Sequence, residues 1–271
     1  VQETGEDIVR TVETSKKEKE KNEIEDKVKE HLRGFTRTIP SFLMAYGDPI
    51  TPPRLENFDE IVPADVFKEV TSITLDQFKF LRDGGDYTDE NGETQHFNGN
   101  IFEPVVFDDS VREFMTKKDK LANYFDEKQT GDIFDYIPPQ KTNQIFTPKW
   151  VVKKMVDMLE EENPGCFDDP NKTFIDLYMK SGLYPAEIIK RLYQSPKMIE
   201  MFPNRDDRLK HIIENQVFGL APTEIIYQIA TNFILGFDFA GKITKHNFKK
   251  ADALEFAKEG KLEEQLDKLY G

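Results

Sequence analysis

At 271 residues, with 38% hydrophobic and 32% charged side chains and 22 phenylalanines, the chain has the composition of a folded protein with an aromatic-rich core, long enough for two units. A formal net charge of -14 repels polyphosphates at long range, so any grip on DNA is expected elsewhere in a longer protein, and no apolar run reaches membrane-spanning length. A single cysteine, Cys166, excludes an intrachain disulfide framework, the four histidines (His31, His96, His211, His246) lack ligand spacing, and Glu3, Glu6 and Asp7 argue against a secretory signal; a cytoplasmic protein without a metal site is the expectation.

Residues 15–33 are rich in Lys and Glu, but Ile24, Val28 and Leu32 recur every four residues and Gly34 follows, which predicts a solvated helix with a narrow apolar stripe and a glycine C-cap. Phe35, Ile39, Phe42, Leu43, Met44 and Tyr46 form a cluster that needs burial, before Asp48-Pro49 and Pro52-Pro53 break the chain. Two short helices are expected next, one beginning at Pro63 and one after Thr74, where Gln77 completes a Thr-x-x-Gln capping pattern. Asn91-Gly92 predicts a small exposed β-hairpin near 86–100, and the spacing of Val111, Phe114, Met115, Leu121, Tyr124 and Phe125 predicts a helix over 108–125. The stretch from Gly131 to Gln140, with Pro138-Pro139, is the expected boundary between a mainly α-helical unit at 1–138 and a second unit at 139–271.

Beyond it, helices alternate with short apolar strands: helix 148–161, strand 173–177, helices 185–194 and 205–215, strand 216–220, helix 222–235, a strand near 243–248 and a helix near 254–269. That order predicts an α/β unit with a parallel, doubly wound sheet. Four segments could carry chemistry there. Gln144-Ile145-Phe146-Thr147-Pro148 enters a helix, with Thr147 able to cap it and Phe146 able to act as a staple. Asp176 ends an apolar strand, and Ser181-Gly182 leads into a helix, a corner where backbone N–H groups can meet a nucleotide-like ligand; an ordinary βα loop with one glycine reads the same way. Val217 to Glu224 joins a second strand to an amphipathic helix, and Asp252 stands in a loop before the last helix.

In this order and at these intervals the four segments resemble the gamma-type DNA adenine-N6 methyltransferases of restriction-modification systems, from about residue 140 onward. The resemblance implies an incomplete Rossmann-like core and S-adenosylmethionine as cofactor. It assigns cofactor contacts to Phe146, Thr147 and Pro148, to Asp176, Ser181 and Gly182 of an Asp-Pro-x-x-Gly-Ser-Gly type loop, and to Asp252 beside the adenine amino group. Three positions depart from the pattern: Leu177 replaces the proline, Lys180 replaces a glycine, and Ala221 stands where a carboxylate holds the ribose hydroxyls. A lysine forced to positive φ costs about 1 kcal/mol, and a lost charged hydrogen bond roughly 1.5–3 kcal/mol. The Asn/Asp-Pro-Pro-Tyr/Phe catalytic motif is absent from these residues, and Ile137-Pro138-Pro139-Gln140 reads as a linker. The expectation is a piece cut before that motif, with no catalytic residue of its own and no methyl transfer alone.

Upstream, residues 31–47 and Phe80-Leu81-Arg82-Asp83-Gly84-Gly85 resemble the connector between a helicase and a methylase module in large restriction-type proteins. The implied partners are DNA, through the full-length protein, and helicase and nuclease domains of the same polypeptide, with no membrane. Two readings stay open: a cofactor-binding methyltransferase domain, and a degenerate Rossmann scaffold that binds no cofactor. A nucleotide-dependent oxidoreductase is disfavoured, since the first loop lacks Gly-x-Gly-x-x-Gly.

Overall fold

Phenylalanine burial organises the first half of the fold, seen in a computed structural model that describes residues 30, 32–48, 50–89, 91–125, 128, 131–138, 146–236, 238 and 241–271. Helical backbone runs through 32–36, so Gly34 lies inside a helix and is not its C-cap. Burial of Phe35 one residue later outweighs the roughly 1 kcal/mol that a helical glycine costs. Ile24 and Val28 of the predicted stripe, with His31, lie outside the described residues.

Helices α1 (Ile39–Tyr46), α2 (Phe58–Ile61), α3 (Ala64–Thr71) and α4 (Leu75–Asp83) gather around interlocked rings. Phe42 stacks on Phe67 at 5.7 Å, Phe67 meets Phe78 at 5.3 Å, and Phe78 meets Phe35 at 5.4 Å. The expected capping box holds, with Thr74 and Gln77 bonding reciprocally at the start of α4, while Pro63 stands at the N-cap of α3. Helix α2 was not legible in the sequence. The hairpin pairs β1 (Gly85–Thr88) antiparallel with β2 (Thr94–Phe97).

Helix α5 spans Pro104–Leu121, starting and ending earlier than its apolar spacing suggests, because Pro104 suits the first turn and the chain leaves the helix at Ala122. Its Lys118 ammonium donates to the carbonyls of Leu43 at 2.8 Å and Gly47 at 3.1 Å, closing the C-terminal end of α1. Burial pushes this amine down to about 8, against a smaller opposing pull from Asp48.

The second half is an α/β layer. Helix α6 (Lys149–Glu162) precedes β3 (Phe174–Asp176), followed by α7 (Leu183–Gln194), α8 (Pro196–Met201) and α9 (Arg205–His211), which passes through a π-turn into β4 (Val217–Ala221). Helix α10 (Glu224–Leu235), β5 (Asn247–Lys250), α11 (Ala253–Lys258) and α12 (Leu262–Tyr270) complete it. Strand β5 begins later than expected, and the predicted last helix is two, broken where Gly260 takes a φ of +68°. The three strands are parallel and lie side by side in chain order, consistent with one half of a doubly wound Rossmann-like sheet. Helices α7 and α10 cover it, and α10 also receives α1, where Asn232 donates to the Ala45 carbonyl at 2.5 Å. The hydrophobic core is therefore continuous from Phe35 to Phe248.

Candidate functional site

Parallel pairing sets the C-terminal strand ends on one edge. Asp176 lies opposite Gly219, and Ala221 opposite Lys250. Beyond the strands the chains stay joined: Met179 N–H donates to the Leu220 carbonyl at 2.7 Å, and Ala251 N–H to the Ala221 carbonyl at 2.8 Å. The loops carrying Asp176, Ser181 and Gly182, the turn at Ala221 to Thr223, and Asp252 therefore share that edge.

Gly182 shapes the first loop. Its φ of +83° is open to glycine, and a Cβ there would stand 2.9 Å from the Ala230 carbonyl and 3.0 Å from Ile234, so glycine also lets α7 approach α10. Ser181 is buried, and its hydroxyl accepts from Leu183 N–H at 3.3 Å in the first turn of α7. Asp176 accepts from Tyr178 N–H at 2.9 Å, and burial raises its carboxyl above the usual range. Met179 is fully buried and occupies the space that the missing side chain of Gly219 leaves.

Lys180 differs from expectation in one respect. Among the described non-glycine residues only Ser72 and Asn100 have positive φ, so Lys180 carries no left-handed strain, and its ammonium lies 5.9 Å from the centre of the Tyr178 ring. The loop accepts a lysine because its left-handed turn falls at Gly182. The departure at Ala221 stands: this residue is fully buried and offers no carboxylate. The nearby Glu224 is taken up by Lys250 at 2.9 Å and Gln228 at 2.8 Å, which hold its carboxyl below the usual range.

Asp252 caps α11, accepting from Leu254 N–H at 2.9 Å. At the Phe146-Thr147-Pro148 segment, Pro148 takes the N-cap position of α6 and the N-cap residue makes no side-chain hydrogen bond, so the capping role expected of Thr147 is not made. Phe146 packs on Phe134 at 4.8 Å, and Phe134 stands edge-on to Phe233 at 4.9 Å. Phe146 is thus anchored, through one ring, to the same turn of α10 that faces Gly182. Gln144 and Ile145 lie outside the described residues.

Sequence reasoning missed the polar system behind this edge. Tyr124 donates to Glu187, which also accepts from Arg191 at 2.8 Å, while Arg191 reaches Asp157 at 2.5 Å and Glu160 at 3.3 Å on α6. Spacing shows only Glu187 and Arg191 as an i,i+4 pair; the rest comes from distant segments. His96 pairs with Asp86, His211 stacks on Phe202, and His246 stacks on Phe248. Cys166 is buried, and burial raises its thiol.

No protein-family model matches the chain. Among curated proteins it is similar to an uncharacterized adenine-specific methylase of Mycoplasma pneumoniae, 26% identical over 145 residues, a match that covers 52% of this chain and 33% of that protein. The chain thus spans about a third of the relative's length, and the likeness supports a methyltransferase-like relationship.

Proposed function

We propose that this chain is the cofactor-side half of an adenine methyltransferase-like domain, belonging to a larger, cytoplasmic restriction-type protein that acts on DNA. The observation that carries the reading is the shared edge: a half-Rossmann sheet with Asp176, Ser181, left-handed Gly182 and Asp252 at its strand ends. The similarity to an adenine-specific methylase supports the same chemistry. No described helix is long and apolar enough to cross a membrane.

The residues fit the amino-acid end of S-adenosylmethionine. At the start of α7 the Leu183 N–H is engaged by the Ser181 hydroxyl and Pro185 has none, which leaves the Tyr184 N–H facing outward, and the half-buried Asp176 carboxylate keeps a free oxygen for an ammonium or hydroxyl donor. Bound there, the cofactor would supply an electrophilic methyl group. Phe146 would close the site from the side of α10. The ribose end lacks its carboxylate at Ala221, so affinity falls by about tenfold or more, at about 1.4 kcal/mol per tenfold.

Isothermal calorimetry with S-adenosylmethionine tests the reading. Saturable binding that Asp176→Asn weakens at least about tenfold supports it. A flat titration for the parent chain and for Lys180→Gly alike would instead favour the degenerate scaffold, which the buried Ala221 and the capping role of Asp252 already make specific.

A further inference from the structure

Helix α6 carries its charges against the helix dipole. Lys149, Lys153 and Lys154 stand in its first half and Asp157, Glu160, Glu161 and Glu162 in its second, with no acid in the first turn and no base in the last. The dipole favours the reverse arrangement. Lys190 of α7 joins the basic end: its ammonium lies 5.7 Å from the centre of the Tyr124 ring, and that of Lys149 lies 4.8 Å from the same ring. Among the described residues none of these four lysines lies within ion-pair distance of an acid, while Asp157, Glu160 and Glu187 are turned toward Arg191. Lys149 is held below its usual range by burial first and then by Lys153, with Lys190 adding to it and Asp132 and Glu187 opposing.

Between these lysines stands Trp150, the only tryptophan of the chain, 69% exposed, with Lys153 and Lys154 three and four residues on along the same side of the helix. We infer that this face of α6, with Lys190, binds a nucleic-acid strand with unstacked bases, the lysines holding phosphates and Trp150 stacking on a base. In a chain of net charge -14, four lysines gathered outside any ion pair among the described residues match a polyanion. A large exposed ring among them matches planar bases better than an acidic peptide, because stacking on an aromatic side chain is tolerant of base identity. The acidic second half of α6 repels the strand and sets where it leaves the helix. The surface stands apart from the cofactor reading, and a failed S-adenosylmethionine titration leaves it intact.

Because Trp150 is unique, its emission reports contact directly. A short single-stranded oligodeoxynucleotide titrated at low salt is expected to quench it saturably, more tightly than a duplex of the same length, with affinity falling as salt rises. Reversing two exposed charges, Lys153→Glu with Lys154→Glu, should weaken binding at least about tenfold and flatten the salt slope by about 1.4, the release expected for two phosphates of a single strand. Trp150→Ala, read by anisotropy of a labelled strand, should lose about fivefold or more. Circular dichroism establishes that both variants are folded. An unquenched tryptophan, an unchanged affinity in the double variant, or heparin binding as tightly as the oligonucleotide would overturn the assignment.

Discussion

In the helical region, rings from Phe35, Phe42, Phe58, Phe67, Phe78 and Phe107 interlock, and polar side chains serve as caps and ties, such as Arg82 reaching the Leu55 carbonyl and Asp59. At the C-terminal edge of the sheet, a half-buried carboxylate, a buried hydroxyl and a left-handed glycine meet instead. The first arrangement maximises burial. The second holds an ionisable group where burial opposes its charge, a condition that stability alone does not favour and that sites commonly require.

The largest test strikes the aromatic region. Phe67→Ala empties a fully buried position among three ring neighbours and should lower unfolding free energy by about 3–5 kcal/mol in urea titrations. Because α1 rests on α10, both regions should melt in one transition. Two transitions, with only one displaced, would make the regions independent and turn the comparison into one between separate domains.

Gly182→Ala addresses the other region. The left-handed φ and the short approach to Ala230 should together destabilise by about 1–3 kcal/mol, and a thermal midpoint equal to the parent's would remove the packing argument for this glycine.

Lys118 gives a test in pH. Its folded value, about 8, lies below the ordinary 10.5, so between those values the unfolded chain binds more protons and this group's contribution to stability rises with pH. Against Lys118→Met, the parent should therefore gain about 1–2 kcal/mol between pH 7.5 and 10, a figure reduced for the amine's partial exposure. A pH-independent difference between the two melts would show that the amine does not titrate in this window.

The smallest expected effect sharpens the contrast. Since burial raises the Asp176 carboxyl, the ionised form burdens the fold at neutral pH, and Asp176→Asn should leave the melting temperature unchanged or up to about 3 °C higher while weakening the cofactor titration. Melting well below the parent would mean that Asp176 is kept for the fold.

How much was legible depends on the range of the interaction. Periodicity placed α7, β4 and α10 close to their observed bounds, because each buries one face whose pattern is local. It placed β5 too early and read one helix where Gly260 breaks two, since a short half-buried strand and a turn glycine carry little periodic signal. The charge reversal along α6 was visible in the residues, yet its meaning depended on Lys190, which only folding brings to the Tyr124 ring.

By itself, the sequence determined the fold class, the hairpin, the Thr74 capping box and the order of the strand-end segments, all of which follow from short-range steric and hydrophobic patterns. Only the tertiary structure decided that Lys180 is unstrained, that Asp252 is engaged as a helix cap, and that Arg191 of the neighbouring helix engages Asp157 and Glu160 of α6. Backbone angles in a loop and the partners of a charge are set by what packs against them from distant parts of the chain, and local sequence does not encode that neighbour.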